Sequence, residues 1–335
     1  MNPFELTRAL VDIESITPNE ERVGLFLLDY LRELAREHGG EVERMDVEPG
    51  RFNVFVRFGN PTVTFSTHMD TVPPFFPSRE DDEFIWGRAA CDTKGIIASM
   101  IFAVRKLLAQ GVRDVGLLFV VGEERNSAGA YQAAKNPRGS KFLINGEPTG
   151  NQLAIGSKGA LRYCLVAKGK MAHSAYPELG DSAVNKLLDA LTCIRAIEMP
   201  TDELLGTATL NIGIISGGCA PNVIPDEARA ELMIRLVGDS SSLKAAVKAC
   251  ERPGVEANEV LEIPALRLGT LSGFETTVVA YTSDIPAFAG SWGQPFLLGP
   301  GSIHVAHTLE EHIPKREILE AINLYAGIAK RLQNS

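Results

Sequence analysis

The sequence predicts an α/β fold, a mostly parallel sheet with helices on both faces, interrupted by a smaller inserted α+β domain. Three observations predict it. Short apolar segments of strand length alternate with amphipathic segments of helix length between residues 53 and 145, the pattern of parallel strands joined by helices. From about residue 157 the order changes to strand, helix, strand, strand, helix, which suits a small open-faced sandwich. After about residue 268 the α/β pattern returns. The expectation is a discontinuous domain of residues 1–156 and 269–335 enclosing a domain of residues 157–268.

The elements follow in order. Asn2-Pro3 offers a helix cap with proline in the first turn. Thr17-Pro18-Asn19-Glu20 has the spacing of a capping box, with Thr17 as cap. The helix it opens carries Val23, Leu27, Leu28, Leu31 and Leu34 and stops near Gly39-Gly40. Strands are expected over 53–58, 62–66, 115–121 and 141–145, and helices over 94–110 and from 128. In the insert, residues 161–167, 208–215 and 227–236 read as strands, and 181–197 and 241–249 as helices. A final helix is expected over 315–332.

Composition narrows the function. Hydrophobic residues make up 45% and charged residues 22%, which is globular composition. The formal charge of -9, with no basic cluster, argues against nucleic acid as a partner. No apolar run approaches the ~20 residues of a membrane span, and the first residues lack the pattern of a signal peptide. The five cysteines are scattered and odd in number, suggesting neither a disulfide framework nor a thiolate metal site. A cytoplasmic location is the expectation.

Acids and histidines cluster just after the expected strands: His68-Met69-Asp70, Asp92, Glu123-Glu124 and Glu147, with His307 near the C-terminus. In open α/β sheets, sites form beyond the carboxyl ends of strands, so residues distant in sequence converge there. Imidazoles and carboxylates without thiolate suit zinc, manganese or cobalt in a catalytic site. Each piece alone is weak: a lone histidine is more often a hydrogen-bonded surface or core residue, and a Glu-Glu pair is usually solvated. A carboxylate pair at the mouth of a buried strand is harder to dismiss.

The combination resembles the M20 metallopeptidase family. Thr67-His68-Met69-Asp70-Thr71-Val72-Pro73 is similar to its first metal motif, and Gly87-Arg88-Ala89-Ala90-Cys91-Asp92-Thr93-Lys94-Gly95 to its second. Gly122-Glu123-Glu124, Gly146-Glu147-Pro148-Thr149 and Leu298-Gly299-Pro300-Gly301 with Ala306-His307 resemble the rest. Order and spacing agree over essentially the whole chain, with the acetylornithine deacetylase and succinyl-diaminopimelate desuccinylase branch the most similar. Ala89 replaces a usual glycine, and Arg125-Asn126 departs from the usual continuation after the glutamate pair.

The resemblance implies a zinc-exopeptidase-like catalytic domain and a ferredoxin-like lid and dimerisation domain. It implies two divalent metal ions, zinc first and cobalt or manganese next, bridged by Asp92. His68, Glu124, Glu147 and His307 would complete the sites, with His304 as the rival of His307. Glu123 would be the general base and Asp70 would orient the His68 ring. Gly169-Lys170-Met171-Ala172-His173-Ser174-Ala175-Tyr176-Pro177 resembles a family segment whose histidine stabilises the oxyanion across a subunit interface, which implies a homodimer. Asn222 and Arg235 would bind substrate, Arg235 through a carboxylate. The expected reaction is hydrolysis of the amide bond of a small N-acyl amino acid. The alternatives are a dipeptidase or exopeptidase on short peptides and, in another class, a catalytically inactive metal-binding member. The last would have no need of Glu123.

Overall fold

The computed structural model describes residues 1–334. They form two compact units. One comprises Met1–Ile155, Leu268–Thr277 and the chain from Ser283 onward; the other comprises Gly156–Arg267 and Val278–Thr282.

The first unit is built on a mixed sheet. Its middle is parallel: strand Val63–His68 lies between Val115–Val120 and Phe142–Asn145, and Gln294–Leu297 joins beyond Phe142–Asn145. Antiparallel strands flank it, Glu41–Glu48 and Arg51–Phe58 on one side and Leu153–Ser157 on the other. Every residue of Val63–His68 and Val115–Val120 is buried, as expected of parallel strands covered on both faces. Phe65, Leu117 and Phe119 pack under the helices Glu21–His38, Gly95–Ala109 and Lys315–Gln333. Leu118, Val120 and Leu143 face the opposite way, against Ala130 and Ala133 of helix Ala128–Lys135 and against Phe288 and Trp292. In register, Val63 meets Val115 and Phe142, so the parallel strands start together and release the segments after His68, Val120 and Asn145 at the same edge, Asn145 ending two residues earlier opposite Ser66.

The second unit is a four-stranded antiparallel sheet in the order Thr209–Gly217, Glu227–Leu236, Gly159–Lys168, Val255–Ile263. Helices Ala183–Arg195 and Ser241–Ala249 cover one face, burying Leu187, Leu191, Ile194, Leu243 and Val247 against Leu161, Leu165, Leu232 and Ile234.

Three sequence expectations are corrected. The first helix does carry a capping box, built by Asn2 and Glu5. The second does not: it begins at Glu21, and neither Thr17 nor Glu20 caps it. The Thr17 hydroxyl donates to Asp70 Oδ2 at 2.7 Å, while Glu20 takes two hydrogen bonds from Arg51 at 2.8 and 2.6 Å. Cys193 and Cys250 form a disulfide between the ends of the two helices of the second unit, with Cα atoms 5.5 Å apart. Pairing across 57 residues is invisible in spacing alone, and it removes the support that scattered cysteines lent to a reducing compartment. Strand Glu41–Glu48 was not expected: it is an edge strand whose only fully buried residue is Met45, so it lacks an apolar run.

Candidate metal centre

His68 is the last residue of its strand and is buried. Its Nε2 lies 3.1 Å from Asp92 Oδ1, and its Nδ1 lies 3.0 Å from the Asp70 carbonyl oxygen. Asp92 sits in an irregular turn, Ala90–Lys94, at the head of helix Gly95–Ala109. The Thr93 hydroxyl donates to the His68 carbonyl at 2.6 Å and ties this turn to the strand. His307 Nε2 stands 3.2 Å from Asp92 Oδ2 and 3.1 Å from Glu124 Oε1. Donor atoms of His68, Asp92 and Glu124 all lie within 4.8 Å of one another. Four of the five expected ligands are thus linked, His307 through Asp92 and Glu124. His304 is exposed, and its ring has no hydrogen-bond partner among the described residues, so the contacts favour His307 over its rival.

Glu147, which follows strand Phe142–Asn145, stands outside that tight group, but its charge is felt at His68. Its Oε1 is buried with no hydrogen-bond partner. An orphaned carboxylate oxygen is costly unless a cation meets it. Burial pushes the pKa values of Glu147, Glu123 and Glu124 above the usual carboxylate range, with His307 offsetting part of the rise at Glu124. Asp92 goes the other way: burial opposes its charge, but hydrogen bonds from His307 and His68 overcome that and hold it low. Such a crowd of carboxylates can ionise together only around compensating positive charge. The donor set, hard-to-borderline and without thiolate, therefore fits divalent cations.

Asp70 does more than face His68. Its carboxylate is 3.6 Å from the ring, farther than its own carbonyl. Its stronger contacts run to the next loop: Oδ1 accepts the Gly122 and Glu123 N–H groups at 2.9 and 3.1 Å, and Oδ2 accepts the Glu124 N–H at 3.2 Å. Three successive amides gripped by one buried carboxylate fix the Glu123-Glu124 pair in space. Arg51, held by Glu20, packs beneath, and a Cβ at Gly122 (φ +84) would stand 2.8 Å from its guanidinium. Glycine is required there for both the space and the left-handed backbone.

Sequence reasoning missed two further buried acids. Asp284 is fully buried with neither carboxylate oxygen hydrogen-bonded in ordinary geometry, and burial pushes its pKa up to about 7. Glu311 is fully buried beneath Asp92. A single aspartate in Ser283-Asp284-Ile285 and one member of an acidic run carry no periodic signal.

The remaining expected site residues lie in the second unit. His173 is exposed, and its Nδ1 accepts the Ala175 N–H at 3.1 Å. It pairs with Val223, next to the exposed Asn222. Arg235 lies at the other end of strand Glu227–Leu236, opposite Ala160 and Thr209. Its guanidinium is partly buried without a hydrogen-bond or ion-pair partner among the described residues.

The comparisons agree on one family. The model of Peptidase family M20/M25/M40 matches residues 64–331. A Peptidase M20 domain-containing protein of Schizosaccharomyces pombe is 36% identical over 97% of this chain and 83% of its own length. A protein of Aspergillus clavatus named a probable carboxypeptidase is 34% identical over 97% of this chain and 87% of its own. Among solved structures, a tripeptidase from Staphylococcus aureus superposes with a TM-score of 0.83 at 22% identity, covering 100% of this chain and 98% of that one. The aminopeptidase PepT from Bacillus cereus gives 0.79 at 22% identity, covering 99% and 98%. No helix among the described residues is long and apolar enough to cross a membrane. The buried His/Asp/Glu cluster and these likenesses carry one conclusion: the chain belongs to the M20 family of peptidases and is a metal-dependent hydrolase of amide bonds.

Proposed function

We propose that the protein is a two-metal hydrolase that frees an amino acid from a small N-acyl amino acid or a short peptide. Its target is the amide bond that acylates the nitrogen of a residue bearing a free carboxylate. A deacylase substrate and a carboxypeptidase substrate are then one chemical class, differing only in the acyl group. Relatives named probable carboxypeptidases favour a peptidyl or aminoacyl group. The observation that carries the reading is the cluster of the buried His68 and Asp92 with the partly buried Glu124 and the more exposed His307, beside the unpartnered Glu147.

In this reading His68, Asp92, Glu147, Glu124 and His307 would hold two divalent ions, zinc being the best match to the donors. Two such ions, when bound, acidify water and polarise the scissile carbonyl. Glu123 takes a proton from the attacking water and returns it to the amine nitrogen as the C–N bond breaks, leaving a carboxylic acid and a free amine. Asp70 holds Glu123 in place through its backbone. His173 and Asn222 donate to the oxyanion or the substrate, and Arg235 clamps its carboxylate through a planar fork.

The second unit supports a homodimer. Asn222 precedes by five residues the Glu227 end of strand Glu227–Leu236, and Arg235 stands eight residues beyond Glu227, about 26 Å along the strand at a rise of roughly 3.3 Å per residue. One small substrate cannot touch both from the same chain. If both act, they serve different active sites, which a two-fold dimer supplies. The edge strand Thr209–Gly217 is open on its outer side and exposes Ile214 and Ile215, giving a surface for such a partner. The insert is thus proposed as a lid and dimerisation domain, with the boundaries 157–268, and the enzyme as cytoplasmic.

The test compares acetyl and succinyl amino acids and dipeptides, each with a free or amidated C-terminus, in zinc, cobalt and manganese. The free acids should be preferred by wild type, and Arg235→Ala should erase that preference at a cost of ~10- to 100-fold in kcat/KM. An unchanged preference in the variant would remove Arg235 from the site. Hydrolysis of none of the panel would remove the substrate class.

A further inference from the structure

We propose that Glu311, with Arg88 as its charge partner, is a positioning residue of the metal centre: through the backbone of residues 89–92 it fixes the direction in which Asp92 would present its carboxylate to the metal ions. The inference rests on the metal centre proposed above and not on its substrate.

Strand His312–Pro314 pairs with Phe84–Trp86, His312 opposite Trp86, and the Gly87 N–H donates to the Glu311 carbonyl at 3.1 Å. This brings Glu311 under the turn that carries Asp92. Its carboxylate is fully buried. Oε2 accepts Arg88 Nη1 at 2.5 Å; Oε1 accepts the Asp92 N–H at 3.2 Å and the Cys91 thiol at 3.5 Å. The Ala89 N–H reaches it as well. Glu311 is also four residues after His307, so one side chain joins the loop of the last ligand to the turn of the shared one.

A buried ion pair contributes little net stability of itself. Arg88 even leaves Nη2 buried with no acceptor. What the pair does accomplish is geometric. The turn around Asp92 departs from helix, with Asp92 at φ -123, ψ 78 and Thr93 at φ -138, ψ 26, so regular helical hydrogen bonds do not determine it. The contacts that do are Thr93 to His68 on one side and Glu311 on the other. Outer partners of metal ligands typically change metal affinity 10- to 100-fold when lost.

Three metal-stripped proteins test this: wild type, Glu311→Asp, and the double variant Arg88→Met/Glu311→Gln. Zinc affinity is read by competition with a chromophoric chelator, ligand geometry by the visible spectrum of the cobalt-loaded form, and folding by thermal melting of the apo form. Aspartate keeps the charge but is one methylene short of reaching both Arg88 and the Asp92 N–H. It should weaken zinc binding ~10- to 100-fold and alter the cobalt spectrum. The double variant discards both charges but keeps an amide oxygen for the Asp92 N–H, and should stay within about threefold of wild type. Wild-type affinity and spectrum in Glu311→Asp would overturn the proposal, as would loss of zinc by a folded double variant. Should Glu311→Asp not fold, the double variant decides; if neither folds, the pair is structural and the proposal fails. A wild type that binds no zinc would remove the metal centre itself along with the inference.

Discussion

Zinc added to the metal-free protein at about pH 7.5 should displace at least two protons per chain. The count comes from the ring contacts. His68 Nδ1 faces the Asp70 carbonyl at 3.0 Å, and Nε2 faces Asp92 at 3.1 Å. Both partners are acceptors, and a neutral imidazole has one N–H, so His68 satisfies both only as a cation. Its pKa is accordingly raised well above the ordinary value: burial opposes the charge, but the hydrogen bonds to Asp70 and Asp92 outweigh it. His307 points Nε2 at Asp92 and Glu124, and those contacts raise its pKa to about 10. Only about 0.3% of it would be neutral at about pH 7.5. A cation on each Nε2 must replace one proton. Neutral carboxyls would add to the total, so two is the lower bound. The sign on stability is opposite. A histidine with a raised folded pKa stabilises the metal-free protein fully below about 6.5, and that contribution is lost as pH rises through about 10. Metal affinity should climb over the same window, the product of the two binding constants by roughly a hundredfold per pH unit at its lower end. Titration calorimetry at one pH in buffers of different ionisation enthalpy counts the protons, and His307→Ala should remove about one. Release near zero, with affinity flat in pH, would refute the reasoning about both rings.

Three further outcomes are expected. Glu123→Gln should keep its metal, because no ligand is lost, while kcat falls ~10²- to 10⁴-fold; near wild-type turnover would show that another group moves the proton. Ile215→Glu, on the exposed edge strand, should turn a sedimenting dimer into a folded monomer, whereas a wild type that is monomeric and fully active would rule out the shared site. Reductant should lower the stability of the second unit by up to about 4 kcal/mol, from closing a loop with a separation of 57 residues; finding all five cysteines free in denatured, unreduced protein would contradict the disulfide.

The parts of the fold that were legible are those where burial is one-sided or complete. Strand Val115–Val120 is a continuous apolar run because both its faces are covered, Val63–His68 is wholly buried but interleaves Val63 and Phe65 with hydroxyl residues, and helix Gly95–Ala109 shows its buried side in Ile97, Ile101, Val104 and Leu108. Strand Val255–Ile263 was missed because its residues are mostly exposed and four of the nine are charged or amide-bearing, leaving no alternation to read. The candidate ligands His68, Glu124 and Glu147 were visible because each stands at or just after a strand end, whereas His307, ten residues past Leu297, was visible only through its motif. Their supports were not. Thr17, Glu20 and Arg51 lie far from one another or from the ligands in sequence and meet only in the fold. Thr17 and Glu20 even imitated a local motif: a hydroxyl and a carboxylate three residues apart can close on a helix end or reach elsewhere, and the competing tertiary donors and acceptors decide.

Two adjacent, chemically identical side chains, Glu123 and Glu124, are proposed for different work, and the arrangement around Asp70 explains how they can differ. Its carboxylate grips the amides of residues 122, 123 and 124, so the backbone cannot rotate to bring both glutamates to the same cation. Glu124 reaches His307, which offsets part of the effect of burial on its acidity. Glu123 has no such hydrogen bond, and burial, with Asp284, Glu124 and Asp92 as like charges nearby, raises its pKa well above the ordinary value, against the pull of His68. A ligand works best ionised; a base that must take a proton from water and then give it to an amine works best with its pKa raised toward the working pH. The division of labour therefore comes from where the backbone is pinned. It predicts that Asp70→Asn, which places an amide N–H against at least one of the gripped amides, will impair turnover through Glu123 even when zinc is saturating.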